Sequence, residues 1–275
     1  MAHARDNSSD GGTCHRIVIL AGQSNAVGRG RAVDGVPSLD TDAWINWCND
    51  KNFGEPLTSA GWVPMQPQLG RFGRHFGPEA SLRIGGATDG CGPSTHVIKF
   101  AMGSTSIGKE WAPDSALLEN FFEHVERAIA QVPEPRRVCA LFWLQGESDT
   151  SKKKNASEYH DRCVEFVRRA RARLCAPLMA FVASEIMWHP GKALVAKVNE
   201  ALRSAVAQLQ PAVLVSCEGY SAAGDKLAEE GKPDDHLDSA TMTLIGQRFS
   251  EKYCALLESS AVSSAAPDEC SAAGS

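Results

Sequence analysis

Five short apolar runs punctuate the chain: RIVILA (16–21), THVIKFA (95–101), RVCALFWL (137–144), LMAFVAS (178–184) and AVLVSCE (212–218). Each is too short for a settled helix and carries Val, Ile or Phe, which suits a strand buried on both faces. Between them the period changes. In SALLENFFEHVERAIAQV the residues Leu117, Leu118, Phe121, Phe122, Val125 and Ile129 recur three and four apart, forming one apolar stripe on a helix. SEYHDRCVEFVRRARARL repeats the stripe through Tyr159, Cys163, Phe166, Val167, Ala170 and Leu174, and KALVAKVNEALRSAVAQL and SATMTLIGQRFSEKYCALL follow it. Strands alternating with helices imply βαβ units and a parallel sheet covered on both faces. The pattern predicts an α/β fold: a three-layer α/β/α sandwich with about five parallel strands in flavodoxin-like order.

Residues 28–94 break the pattern. They are rich in Gly, Pro and Trp and read as a long irregular excursion over the strand ends, with one short helix after Pro78. Six aromatic residues there (Trp44, Trp47, Phe53, Trp62, Phe72 and Phe76) favour order. The N-terminal residues 1–15 and the small, polar tail 259–275 are expected to be disordered, leaving one domain over 16–258.

Composition narrows the function. The 275 residues are 43% hydrophobic and 22% charged, with a net charge of −5, so a basic nucleic-acid footprint is not expected. The basic runs KKK (152–154) and RRARAR (168–173) read as solvated faces. No apolar leader or membrane-length run is visible, which points to a cytoplasmic protein with no membrane partner. Nine scattered cysteines without a CxxC pair read as reduced thiols, and neither zinc nor any other metal is expected on that spacing.

In an open parallel sheet, chemistry gathers at the carboxyl ends of the strands. Three polar clusters fall there: GQSN after the first run, GSTS (103–106) after the second, and QGESD (145–149) after the third. A fourth, KPDDHLDS (232–239), precedes the last helix. Together they offer a hydroxyl nucleophile, a base, a carboxylate to orient the base, and donors for an oxyanion, the parts that acyl transfer requires. Each piece also has a plainer reading. Ser24 could be a helix N-cap, His236 an exposed loop histidine, Gly103 a tight turn, and Gln145 a partner for loop backbone. Glu147 and Asp149 could be helix-start acids. His75, His124, His160 and His189 read as surface or loop residues. GGATDGCG (85–92) reads as a surface loop rather than a phosphate cradle, since it lacks both GxGxxG and the Walker lysine.

Taken in order, AGQSNAVG, HFGPEASL, KFAMGSTSI, WLQGESD and DHLD before a helix resemble the SGNH hydrolase superfamily. Within it they resemble carbohydrate esterase family 6, the acetylxylan-esterase and sialate O-acetylesterase-like branch, over about residues 16–255. The resemblance implies that Ser24 is the nucleophile and His236 its general base. It implies an oxyanion hole formed by the N–H groups of Ser24 and Gly103 and the side-chain amide of Gln145, with Gln23, Asn25, Ser104 and Glu147 around the substrate. The family's aspartate stands three residues before the histidine, where this chain has Pro233. Asp234 is the favoured substitute, because side chains two apart in an extended segment share a face; Asp235 and Glu147 stand behind it. The implied activity is that of a cofactor-free serine esterase removing a small acyl group, acetyl above all, from a carbohydrate-like substrate. Two alternatives follow from the same residues: a pseudoesterase that binds acetylated glycans without turnover, and a lipase or thioesterase with an apolar acyl tunnel.

Overall fold

The computed structural model describes residues 13–31, 35–51, 56–70, 73–187, 193–224 and 234–265. The strands are β1 (His15–Gly22), β2 (Gly30–Arg31), β3 (Ala43–Lys51), β4 (Pro56–Thr58), β5 (Val63–Pro64), β6 (Gln68–Gly70), β7 (Gly73–Phe76), β8 (Thr95–Ala101), β9 (Arg136–Leu144), β10 (Ala180–Ser184), β11 (Ala212–Val215), β12 (Ala222–Gly224) and β13 (Asp234–Leu237). The α-helices are α1 (Ser24–Val27), α2 (Ala116–Ala130), α3 (Lys153–Arg173), α4 (Val195–Gln208) and α5 (Ser239–Ala265).

The main sheet runs β11-β10-β9-β1-β8-β3-β4, with β5 paired to β3. The strands from β11 to β3 are parallel throughout, and β4 and β5 are antiparallel additions at the edge. Taken alone, the five strands expected from the apolar runs stand in flavodoxin-like order. The sixth parallel strand, β3, comes from inside the segment that reads as irregular. Its sequence AWINWCNDK mixes tryptophans with polar residues, because one of its neighbours is only the short edge strand β4. Asn46 and Asn49 are buried there and weaken the apolar signal that marks the other strands.

Residues of each central strand alternate between two cores. Ile17, Ile19 and Ala21 of β1 join Leu141 and Trp143 of β9 on the face covered by α2, α3 and α4. Val18 and Leu20 join Phe142 and Leu144 on the face covered by α5. Ser115 caps α2, its side chain accepting from Leu118 N at 3.2 Å. Asp238 caps α5 by accepting from Thr241 N at 2.8 Å. The helix after Pro78 is a single 3-10 turn, Pro78–Ser81. The boundary expected at 258 falls inside α5, which continues to Ala265.

Two histidines read as surface residues are interior. His75 lies buried on β7. His124, on the inner side of α2, packs on Phe100 with ring centroids 5.8 Å apart, and burial pushes its pKa down to about 4. The helical stripe hides such a residue because imidazole can occupy an apolar position while neutral. His189, Phe53, Phe72 and the terminal segments 1–12 and 266–275 lie outside the described residues.

Candidate active site

Parallel register brings the first three polar clusters to one level. Gly22 at the end of β1 stands opposite Ala101 of β8 on one side and Leu144 of β9 on the other. The loops that follow therefore start side by side, one strand spacing apart, at the point where the strand order reverses. Met102 N donates to Gly22 O at 3.1 Å and Gln23 N donates to Leu144 O at 3.2 Å, closing the three ends together. Gly22 has φ +152°, and a Cβ there would lie 2.0 Å from Leu144 O, so no other residue fits this approach.

The chain then turns through α1. Gln23, not Ser24, occupies the N-cap position, with φ −108° and ψ −153°. Ser24 is the first helical residue and is half-buried between the buried Gln23 and Asn25. The turn ends against a buried charge. Lys99, on β8, donates from Nζ to Val27 O at 2.8 Å and to Gln68 Oε1 at 2.7 Å. It also pairs with Glu79 Oε2 at 3.0 Å, both side chains being wholly buried. Burial pushes the lysine's pKa down and the Glu79 carboxylate partly offsets this. Glu79 in turn accepts from Gly77 N at 2.8 Å. Gly28, with φ +94°, lets Phe76 and Gly77 close over the turn. The GPE motif thus supplies the counter-ion for a lysine beneath the Ser24 turn. Sequence reading missed this pair, although a lone Lys inside THVIKFA was its signal.

Asn25 joins three segments. Its Nδ2 donates to Glu147 Oε1 at 2.5 Å, and its Oδ1 accepts from Leu237 N at 3.1 Å. Glu147 opens the 3-10 turn Glu147–Ser151, and Leu237 follows the half-buried His236 on β13. The DHLD segment therefore returns to the rim beside α1. The backbone of Asp234 and Asp235 belongs to β13, but their side chains and Pro233 lie outside the described residues.

A second network fixes the loop after β8. Asp149, wholly buried, accepts from Gln145 Nε2 at 2.6 Å, Ser106 Oγ at 2.7 Å and Ile107 N at 3.1 Å. Burial raises its pKa, and these neutral donors only partly offset that. The half-buried Gly103 and the exposed Ser104 form the crest of this loop, Ser104 in the left-handed region at φ +59°. Such a conformation costs about 1 kcal/mol in a non-glycine residue and is held here by the fixed segment behind it. Reading Asp149 as a helix-start acid missed its role as the brace between two site loops.

These bonds engage three of the residues named for the site. The Gln145 amide is wholly buried, and Nε2 donates to Thr105 O at 2.9 Å as well as to Asp149. Tyr159 fixes its other side, its OH donating to Gln145 O at 2.8 Å and Oε1 at 3.0 Å. A buried carboxylate without a cation draws the strongest neutral donor within reach, and that donor is this amide. Gln23 and Asn25, expected at the substrate, are internal braces. Gln23 Oε1 accepts from Ser148 N at 3.2 Å and Gln145 Nε2 at 3.3 Å. Ser104 and Glu147 do line open space, a cavity of about 570 Å³ shared with Ser106, Lys109, Ser148 and Asn155. The side chains that line it end in hydroxyl, amide and charged groups.

The family model for "Carbohydrate esterase, sialic acid-specific acetylesterase" matches residues 14–255. The chain belongs to this family. It is accordingly a carboxylic ester hydrolase of the carbohydrate-acetylesterase kind. Among solved structures, the esterase is similar to a protein from Arabidopsis thaliana, with 19% identity and TM-score 0.63, covering 88% of this chain and 98% of that one. It is also similar to NanS, with 13% identity and TM-score 0.61, covering 91% and 99%. At these identities the likeness shows the fold. No curated protein matches the chain. Among the described residues no helix of the esterase is long and apolar enough to cross a membrane.

Proposed function

We propose that the esterase removes acetyl groups from the hydroxyls of a carbohydrate through an acetyl-enzyme on Ser24. His236 takes the Ser24 proton as Oγ attacks the acetyl carbonyl. The tetrahedral intermediate then expels the sugar oxygen, which takes that proton from the imidazole. Water attacks the acetyl-serine by the reverse use of His236 and releases acetate. The observation that carries this reading is the junction at Asn25, which ties the nucleophile turn, the Glu147 turn and the histidine strand into one rim.

Backbone N–H groups of Ser24 and Gly103 hold the developing oxyanion, each worth roughly a hundredfold in turnover. Gln145 supports them from behind through Thr105 and Asp149. Asp234 orients the histidine, since positions 234 and 236 share one face of β13, with Asp235 and Glu147 as the other candidates. The polar cavity beside Ser104 favours a hydroxyl-rich substrate over a long acyl chain.

Ser24→Ala should lower turnover of an acetyl ester by roughly 10⁴-fold or more without moving the melting temperature. A fluorophosphonate probe should label the wild type at Ser24 and leave the variant unlabelled. Wild-type turnover by the variant, or no labelling of the wild type, sinks the proposal, and the second result favours a glycan-binding pseudoesterase. Activity that rises from acetate to octanoate esters would replace it with a lipase.

A further inference from the structure

The amino end of the sheet, opposite Ser24, holds three thiols in line. Cys91 Sγ lies 3.6 Å from Cys14 Sγ and 3.8 Å from Cys139 Sγ. Cys14 immediately precedes β1, Cys139 is on β9, and Cys91 sits in the GGATDGCG loop. That loop is pinned to the start of β1. Arg16, wholly buried, donates to both oxygens of Asp89, at 2.7 and 2.8 Å, and to Gly92 O at 2.9 Å. Gly92 N donates to Cys14 O at 2.9 Å. The backbones bearing Cys14 and Cys91 are therefore already docked.

We infer that Cys91 is a site of reversible oxidation by hydroperoxides and that Cys14 captures it as a disulfide. Cys91 is half-buried, and the Arg137 guanidinium donates to its sulfur at 3.4 Å, so the thiol is within reach of solvent and held beside Cys14. Cys14 is half-buried too, so oxidant and reductant can reach the pair. Cys139 is buried, and burial pushes its pKa up to about 12, so it remains a thiol. Asp89, Cys91 and Cys139 offer three ligand atoms within 4.8 Å of one another, but a metal ion is the poorer occupant. Both Asp89 oxygens are held by Arg16, Tyr253 donates to one of them at 3.0 Å, and two guanidinium groups face the cluster.

The chemistry balances with hydrogen peroxide as oxidant. The Cys91 thiolate attacks one peroxide oxygen, the O–O bond breaks, and sulfenic acid forms with release of hydroxide, which a proton turns to water. The Cys14 sulfur then attacks the sulfenic sulfur and expels a second water. Closing the sulfurs from 3.6 Å to bonding distance needs side-chain rotation and a small adjustment of a docked loop.

The test uses the full chain, treated with hydrogen peroxide, alkylated and digested without reduction. Mass spectrometry should find the Cys14 peptide joined to the Cys91 peptide with the loss of two hydrogens, reversed by dithiothreitol. Cys139 should remain alkylatable, and ester turnover should be unchanged. In Cys14→Ser the link should vanish and Cys91 should advance to sulfinic acid. Cys175, exposed at the end of α3, serves as a reference thiol. Oxidation of Cys175 at equal or greater rate with no Cys14–Cys91 link overturns the inference, as does a link from Cys91 to Cys139. Stoichiometric zinc uptake that protects all three thiols from alkylation also overturns it. The wild-type peptide map decides the matter even if a variant fails to fold.

Discussion

Asp89 and Asp149 are both withdrawn from water, at opposite ends of the same sheet, and the fold answers them in opposite ways. At the amino end Asp89 meets a guanidinium. Burial alone would push its pKa up, but hydrogen bonds from Arg16 and from Cys91 N outweigh that and hold it at about 2. At the carboxyl end Asp149 meets an amide, a hydroxyl and backbone N–H groups, and its pKa stays raised. An ion pair fastens a loop and keeps one charge state. A carboxylate held by neutral donors orders three segments at once while carrying no net attraction to any cation, and it stays sensitive to its surroundings.

Two cation removals break this contrast most sharply. Arg16→Met leaves Asp89 buried without its partner, and Lys99→Met does the same to Glu79; each should cost about 3–5 kcal/mol of unfolding free energy in urea titrations. Only Lys99→Met should also lower kcat of the folded fraction, because Lys99 holds Val27 O at the end of the turn that carries the proposed nucleophile Ser24. Equal kcat loss in both variants would erase the distinction between the two ends.

Acid titration probes the same pair more gently. The Asp89 pKa falls from an ordinary 3.8 to about 2 on folding, so its stabilisation of about 2 kcal/mol is fully present above pH ~4 and lost as pH falls towards 2. Asp149 has the reverse sign. Its folded value lies above the ordinary one, so the folded state holds the proton longer and ionisation costs stability as pH rises through that window. Unfolding curves of Asp89→Asn should lose the acid-side fall attributable to this group, and those of Asp149→Asn should lose the opposing contribution.

A smaller effect is expected on stability in Asp149→Asn itself, about 1–3 kcal/mol, since no charge is left buried but one buried donor loses its acceptor. Its kcat should nevertheless fall roughly tenfold to a hundredfold with little change in KM, because an amide cannot accept from Ser106, Ile107 and Gln145 together. A rise in KM with kcat intact would mean that the loop binds substrate rather than holding the oxyanion donors.

Much of this architecture is legible along the chain. The alternation of Ile17, Ile19 and Ala21 with Val18 and Leu20, and the stripes of α2 and α3, are set by local period, and burial follows from it. The rim could be named because parallel strands point their ends one way. β3 escaped notice because a strand beside a short edge partner need not be apolar, and His124 because a neutral imidazole passes for a core residue. The bonds of Gln145 escaped because they depend on Asp149 and Thr105, and the second of these stands forty residues away.

The sequence alone therefore determined the layers, the order of the five strands marked by apolar runs and which polar clusters lie at their carboxyl ends, since those depend on periodicity and chain direction. Tertiary structure decided what each polar side chain does on arrival. Asn25 finds Leu237 across 212 positions, and Lys99 finds Gln68 across 31. A buried donor must take whichever acceptor the folded chain brings within about 3 Å, and that choice has no local signature.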